Sequence, residues 1–455
     1  MSAAQRDVDR YVDDRVDEGV FRVHRDVFRD PALFDLEIRH VFEGTWAFLG
    51  LESEIDQPND FLTTRIGRQP VVVMRDAAGH LGAFINSCRH RGAVVCHQAR
   101  GNRKVHVCTY HGWSYDSGGR CIAVNAERAG AYTPAFSAES HALVSLARFG
   151  NYRGFLFGSL NADVPPLEEH LGASRTFLDL FVDQSPEGIE LLPGPVTFTF
   201  DANWKTQIEN ATDSYHFATT HASYIGVLGR QGARERAGSA SAGALSPFAD
   251  LQRRSKAMGR GSFDFGRGHS ATWGSIPNPE TRPLYLSREE LLLRVGEVRA
   301  KWMFYLRNMT IFPNLQIAEN IAPQLRIIRP LSVDRTEMTA WCIGLKGESA
   351  EARRRRIRHY EEFFNPSGLA TPDDVATYRD CQSGFGGWAI EWQQAYARGM
   401  AVRQTGPSPD ADELGIVPES WVYGSFDLGD ETCHQSAYRE WKRLINHGLE
   451  RERGR

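Results

Sequence analysis

No stretch of this chain is apolar for long enough to cross a bilayer, which takes about 20 residues. Its N-terminus (MSAAQRDVDRYVDDRVDEGV) has no apolar core of the kind a secretory signal needs. The expectation is a cytoplasmic protein. Positive charge is not in surplus either: the formal net charge is −4, which argues against nucleic acid as a main partner. Cysteine is scarce. Seven in 455 residues are too few for a disulfide framework, so the thiols are read as reduced, with Cys96, Cys121, Cys342, Cys381 and Cys433 as small buried residues. There is no dinucleotide fingerprint, which argues against a nicotinamide or flavin site in this chain, and no HExxH zinc pair.

What is present is two mixed ligand pairs. Cys88-Arg89-His90 is followed by Cys108-Thr109-Tyr110-His111, and each pair runs on into a glycine, Gly92 and Gly112. Zinc would gather all four around one ion, but zinc modules usually pair Cys with Cys and His with His. Here each loop offers one thiolate and one imidazole, so each can reach both irons of a Rieske [2Fe–2S] cluster, with the cysteines on one iron and the histidines on the other. The spacing favours the cluster.

A length of 455 residues suggests two domains. Residues 1–45 space their apolars (Val20, Phe21, Val27, Phe28, Phe34, Leu36) as amphipathic helices would, packing on the second domain. Residues 46–165 read as a compact antiparallel β domain with both ligand loops at hairpin tips, and Pro165-Pro166 marks a boundary. In 166–455, the segment 203–221 reads as a helix. The Gly/Ser/Ala/Arg-rich span 229–270 reads as a lid or entry loop or, equally, as surface padding, and 301–346 as strands. A basic helix over 349–364 carries Arg353 to Arg356 on a solvated face, a further helix starts at Val375, and a charged helix closes the chain.

The segment 203–221 holds the second candidate site: Glu209, Asn210, Asp213, His216 and His221. Asp213 and His216 are three apart and share a helical face. His216 and His221 are five apart, which on a regular helix turns them about 140° from one another. To hold one ion together, the helix must end or bulge between them. Two histidines need a carboxylate to form the facial triad of a non-haem Fe(II) oxygenase. Asp213 suits a supporting role, orienting His216. Asp373 and Asp374 are the best candidates for the third ligand, although taken alone either reads as a helix N-cap. Arg307, on a strand, is the expected anchor for a substrate carboxylate; the plainer reading is an arginine paired to an internal acid.

Together, the Cys/His pairs, NWK…EN-x-x-D-x-YH-x4-H and the late Asp-Asp resemble the α subunit of Rieske non-haem iron aromatic-ring hydroxylating dioxygenases over nearly the whole chain. The closest resemblance is to the group acting on benzoate, toluate, 2-halobenzoate and anthranilate, carried by ALFDLE, NDFLTTRIGRQP, RGFLFGSL, VDQSPEGIELL, RPLSVDRTE and FFNPSGLATPDD. The resemblance implies an α+β protein, with an antiparallel β Rieske domain and a helix-grip catalytic domain whose curved antiparallel sheet wraps a long helix. It makes Cys88, His90, Cys108 and His111 the cluster ligands, and His216, His221 and Asp374 the iron triad. Asp213 becomes the bridge that links His216 to His111 of a neighbouring α subunit, and Asn210 a substrate-facing residue. It further implies a small β subunit in an α3β3 assembly and a separate NADH-dependent reductase, with or without a ferredoxin. The expected activity is cis-dihydroxylation of an aromatic carboxylate, with a Rieske monooxygenase or demethylase as the alternative. The segment after His221 and the tail after about residue 398 depart from that group's pattern.

Overall fold

The computed structural model describes residues 8–227, 230, 259–276, 279–320, 322–425 and 428–454. They form two compact units, Ile38–His170 and the rest. Among the described residues, no helix is long and apolar enough to cross a membrane.

The unit Ile38–His170 is built from antiparallel strands rich in β-branched and aromatic side chains. A four-stranded sheet runs in the order Leu81–Ile85, Gln69–Arg75, Asp60–Ile66, Arg100–Asn102. Smaller sheets join Val105–Val107, Ser114–Asp116 and Cys121–Ala123, and Ala47–Leu51, Phe155–Ser159 and Arg148–Tyr152. Only the second ligand loop sits at a hairpin tip, between the paired strands 105–107 and 114–116. The first connects strands 81–85 and 100–102, which lie at opposite edges of the four-stranded sheet.

The other unit holds a nine-stranded antiparallel sheet among the described residues. Its order is Ile189–Leu191, Arg335–Leu345, Gln324–Ser332, Leu315–Glu319, Leu306–Ile311, His269–Gly274, Gly259–Gly266, Ser420–Ser425, and Val196–Phe200 also pairs with 335–345. The helix Trp204–Thr212 packs against the middle of this sheet, giving the helix-grip arrangement. Asn203 caps it, its side chain accepting from the Lys205 N–H at 3.1 Å.

That helix is buried on nearly every side, so its polar residues need partners inside the protein. Glu37 supplies several. Its carboxylate accepts from Lys205 Nζ (2.5 Å), Trp204 Nε1 (2.7 Å) and Trp441 Nε1 (2.7 Å). Gln207 donates to Gln316 at 3.1 Å, and Glu209 accepts from the Tyr396 hydroxyl at 2.7 Å and from Tyr438. A chain segment from before the β unit and the C-terminal helix His434–Arg453 thus hold this helix in place.

Several expectations change. The N-terminal segment is not simply helical: Val12–Arg15 and Val20–His24 form a hairpin, extended by Trp392–Gln393, before short helices at 26–29 and 31–36. Its apolar spacing fits either state, and cross-strand pairing decided it. Most of the span 229–270, expected to form a lid or loop, lies outside the described residues, but Gly259–Gly266 and His269–Gly274 are strands inside the sheet. Arg353 to Arg356 are not one solvated face. Arg356 is 2% exposed and pairs with Glu348 at 2.8 Å, while Arg353 reaches Glu190 at 2.6 Å. Cys381 is exposed and Cys121 partly so.

Candidate metal centres and catalytic cavity

The two Cys/His loops close with the same turn. In the first, Cys88 N–H donates to Ala93 C=O at 2.8 Å and Gly92 N–H to Cys88 C=O at 2.9 Å. In the second, Cys108 N–H donates to Trp113 C=O at 2.8 Å and Gly112 N–H to Cys108 C=O at 2.9 Å. Gly92 (φ +77°) and Gly112 (φ +76°) take the left-handed backbone that this turn requires, which explains the glycine in each motif.

The two loops bring their imidazoles together and set both cysteines in one core cluster. Cys88 and Cys108 are buried, and the rings of His90 and His111 lie 4.4 Å apart. His111 Nδ1 is buried without a hydrogen-bond partner among the described residues, as a metal-facing nitrogen would be. Burial, with His90 and Arg91 nearby, holds the His111 imidazole below its usual pKa and so favours the neutral ring a metal needs. The donor set therefore fits a [2Fe–2S] group. Two supporting residues escaped sequence reasoning: Trp113 stacks on His90 at 5.0 Å, and the Tyr115 hydroxyl lies 3.2 Å from Cys88 Sγ. A tyrosine in a short strand gives no signal of that contact.

In the larger unit, the break in segment 203–221 falls before His216, not between the histidines. The first helix ends at Thr212, and Asp213 takes an extended backbone (φ −85°, ψ 123°). Asp213 Oδ1 then accepts from the Tyr215 N–H at 2.6 Å, and Oδ2 lies 2.9 Å from His216 Nδ1. The contact expected from a shared helical face is made by a capping turn instead. His216 and His221 flank one short helical turn, Phe217–Thr220.

Asp374 meets them from the first turn of helix Thr371–Phe385, whose N-cap is Ala370. The N-cap reading of Asp373 and Asp374 is therefore wrong. Asp374 Oδ1 lies 3.5 Å from His216 Nε2 and 3.3 Å from His221 Nε2, and one ligand atom from each residue falls within 4.8 Å of the others. Asp373 stands behind His221 instead: its Oδ2 accepts from Ser223 at 3.1 Å and lies 3.7 Å from His221 Nδ1, the nitrogen that points away from Asp374. Asn210 Nδ2 donates to Asp374 Oδ1 at 3.1 Å and lies 3.2 Å from His216 Nε2. Burial works against charge on both members of the Asp213–His216 pair, yet their hydrogen bond and attraction lower the pKa of Asp213 and raise that of His216. Two imidazoles and one carboxylate on one side of an open space suit a ferrous ion.

These residues line a cavity of about 190 Å³ with Phe217, Leu306, Ala318, Phe363 and Phe364 on its apolar walls. A dry cavity of about 150 Å³ holds benzene, so one substituted ring fits here. Arg307 does not line it. Leu306 and Asn308 do, and alternation along the strand turns Arg307 to the other face, where it pairs with Glu319. The proposed anchor is thus an arginine neutralised by an internal acid. Two arginines that the sequence did not single out, Arg260 and Arg326, stand on the cavity wall. The only signal for them is a charged residue within an apolar strand, which Arg307 shares.

Residues 45–143 match the Rieske [2Fe-2S] domain model, and residues 187–410 the model of the ring hydroxylating alpha subunit catalytic domain. The chain is 41% identical to toluate 1,2-dioxygenase subunit alpha of Pseudomonas putida, covering 98% of this chain and 96% of that one. It is also 41% identical to 2-halobenzoate 1,2-dioxygenase large subunit of Burkholderia cepacia, over 95% and 91%. Among solved structures, naphthalene 1,2-dioxygenase from Rhodococcus sp. bound to indole superposes with a TM-score of 0.77 at 25% identity, over 93% of this chain and 94% of that one.

Proposed function

The chain belongs to the α subunits of Rieske-type ring-hydroxylating dioxygenases, and from that premise we propose that it cis-dihydroxylates the ring of an aromatic carboxylate, benzoate-like and open to an ortho substituent. The observation that carries this reading is the convergence of His216 Nε2, His221 Nε2 and Asp374 Oδ1 on a cavity sized for one ring. The aromatic acids in the relatives' names support the carboxylate.

Cys88, Cys108, His90 and His111 would hold the cluster, and His216, His221 and Asp374 the iron. When bound, the cluster supplies single electrons and the iron activates dioxygen beside the ring. The protein's own part is positional. Asp213 holds Nδ1 of His216, which leaves Nε2 as the nitrogen that would hold the ion. Phe217, Phe363 and Phe364 seat the ring and keep water from it. The balance is one aromatic acid, one dioxygen, two electrons and two protons to one cis-dihydrodiol.

The chain is the large subunit of a multicomponent system. Its electrons would come from NADH through a separate cytoplasmic reductase, with or without a ferredoxin. We place it in an α3β3 assembly with a small β subunit, in which Asp213 links His216 to His111 of a neighbouring copy.

The test is anaerobic iron and sulfide analysis with electron paramagnetic resonance, followed by turnover of benzoate and its ortho-substituted relatives. A Rieske signal on reduction, a third iron per chain and a cis-diol product are expected. Zinc, or a silent spectrum from fully metallated protein, would overturn the assignment, and a singly hydroxylated or demethylated product would move it to a monooxygenase.

A further inference from the structure

We propose that Arg326 is the residue that grips the substrate's carboxylate; the inference rests on the aromatic-acid reading above and names the contact that selects for it. Arg326 lies on strand Gln324–Ser332, is 5% exposed, and lines the same cavity as His216, His221 and Asp374. Register places it on the helix-facing side of the sheet. Its cross-strand partner is Gln316, whose side-chain amide donates to the Gln207 and Ile208 carbonyls of the central helix at 3.0 and 3.1 Å.

A buried guanidinium is costly unless paired and hydrogen-bonded. Other buried arginines of this unit follow that rule: Arg307 pairs with Glu319, and Arg356 with Glu348. Arg326 does not. Its Nε donates to Gln324 Oε1 at 2.5 Å, and its guanidinium carbon stands 5.3 Å from the centre of the Phe364 ring. Among the described residues, no carboxylate lies within ion-pair distance and the two terminal nitrogens make no hydrogen bond. That leaves a planar pair of donors facing a cavity, which is the geometry that binds a carboxylate bidentately.

The charges point the same way. Arg260 and Arg326 offset Asp213 and Asp374 among the cavity residues, so a divalent iron would leave the site positive. An anionic substrate restores the balance. Arg260, on the strand at the far side, has Asp213 as its electrostatic partner. Arg326 shares one cavity with His216, His221 and Asp374, so a ring whose carboxylate is held by Arg326 lies in the space those ligands border.

The experiment compares wild type, Arg326→Gln and Arg326→Lys as assembled oxygenase, with benzoate and the neutral isostere benzamide as probes. Binding is read by calorimetry, turnover by KM and kcat, and the fold by the Rieske signal and iron content. Arg326→Gln is expected to weaken benzoate binding and raise its KM by about tenfold or more, and to cut the preference for benzoate over benzamide by a similar factor. Arg326→Lys, which keeps the charge but not the fork, should fall between, and it carries the test if the glutamine variant does not fold. Unchanged benzoate affinity in both variants would overturn the inference, as would finding the loss in Arg260→Gln instead. A wild type that neither binds nor turns over any aromatic acid overturns the substrate reading, and this inference with it.

Discussion

The Asp213 carboxylate holds His216 from behind: Oδ2 lies 2.9 Å from Nδ1, while Nε2 of the same ring lies 3.5 Å from Asp374 Oδ1. One aspartate orients the ring, and on the proposed reading the other would share its ion. Asp213→Asn should therefore leave cluster and iron content intact while lowering turnover by about 100-fold, an effect at the upper end for a residue behind a ligand. Iron analysis alongside product formation checks this; an active variant would remove Asp213 from the electron route.

The two neighbouring aspartates are predicted to separate cleanly. Asp374→Ala should lose the mononuclear iron and keep the Rieske signal, because only Asp374 reaches both histidines. Asp373→Ala should keep its iron, since that carboxylate accepts from Ser223 and approaches His221 only at Nδ1, the nitrogen away from Asp374. Equal iron loss from both would show that the third ligand is misassigned.

Tyr115 offers a test confined to the smaller unit. A hydroxyl 3.2 Å from Cys88 Sγ stabilises added negative charge on the cluster sulfur, and such contacts tune the potential of iron–sulfur groups. Tyr115→Phe should lower the reduction potential without changing the iron count. Redox titration followed by paramagnetic resonance would detect it, and a potential equal to wild type would dismiss the contact.

Glu37 and Lys205 form a fully buried pair, and Trp204 and Trp441 add two more donors to the same carboxylate. Breaking it from one side leaves an uncompensated buried charge. Glu37→Gln should cost about 3–5 kcal/mol of stability, and Lys205→Met in the same background should recover part of it. Denaturant melts of the single and double variants measure the coupling; additive losses would contradict it.

By itself, the sequence determined what depends on short spacing. Two Cys/His loops with a glycine at each turn, and the Asp213–His216 pair, are local, because the backbone turn and the ligand lie within a few residues of each other. The family motifs carried the two-domain α+β plan on the same basis. The tertiary structure decided whatever depends on which face a residue presents. Arg307 and Arg326 look alike in apolar strands, but strand alternation and cross-strand register send one to Glu319 and the other to the cavity. The residues alone left Asp373 and Asp374 open and the family resemblance chose Asp374; how the two divide the work came from the helix beginning at Thr371, which sets Asp374 against both Nε2 atoms and Asp373 beside Nδ1 of His221. The N-terminal hairpin and the burial of Arg356 likewise rest on partners far along the chain, and no local pattern records a partner that only folding brings near.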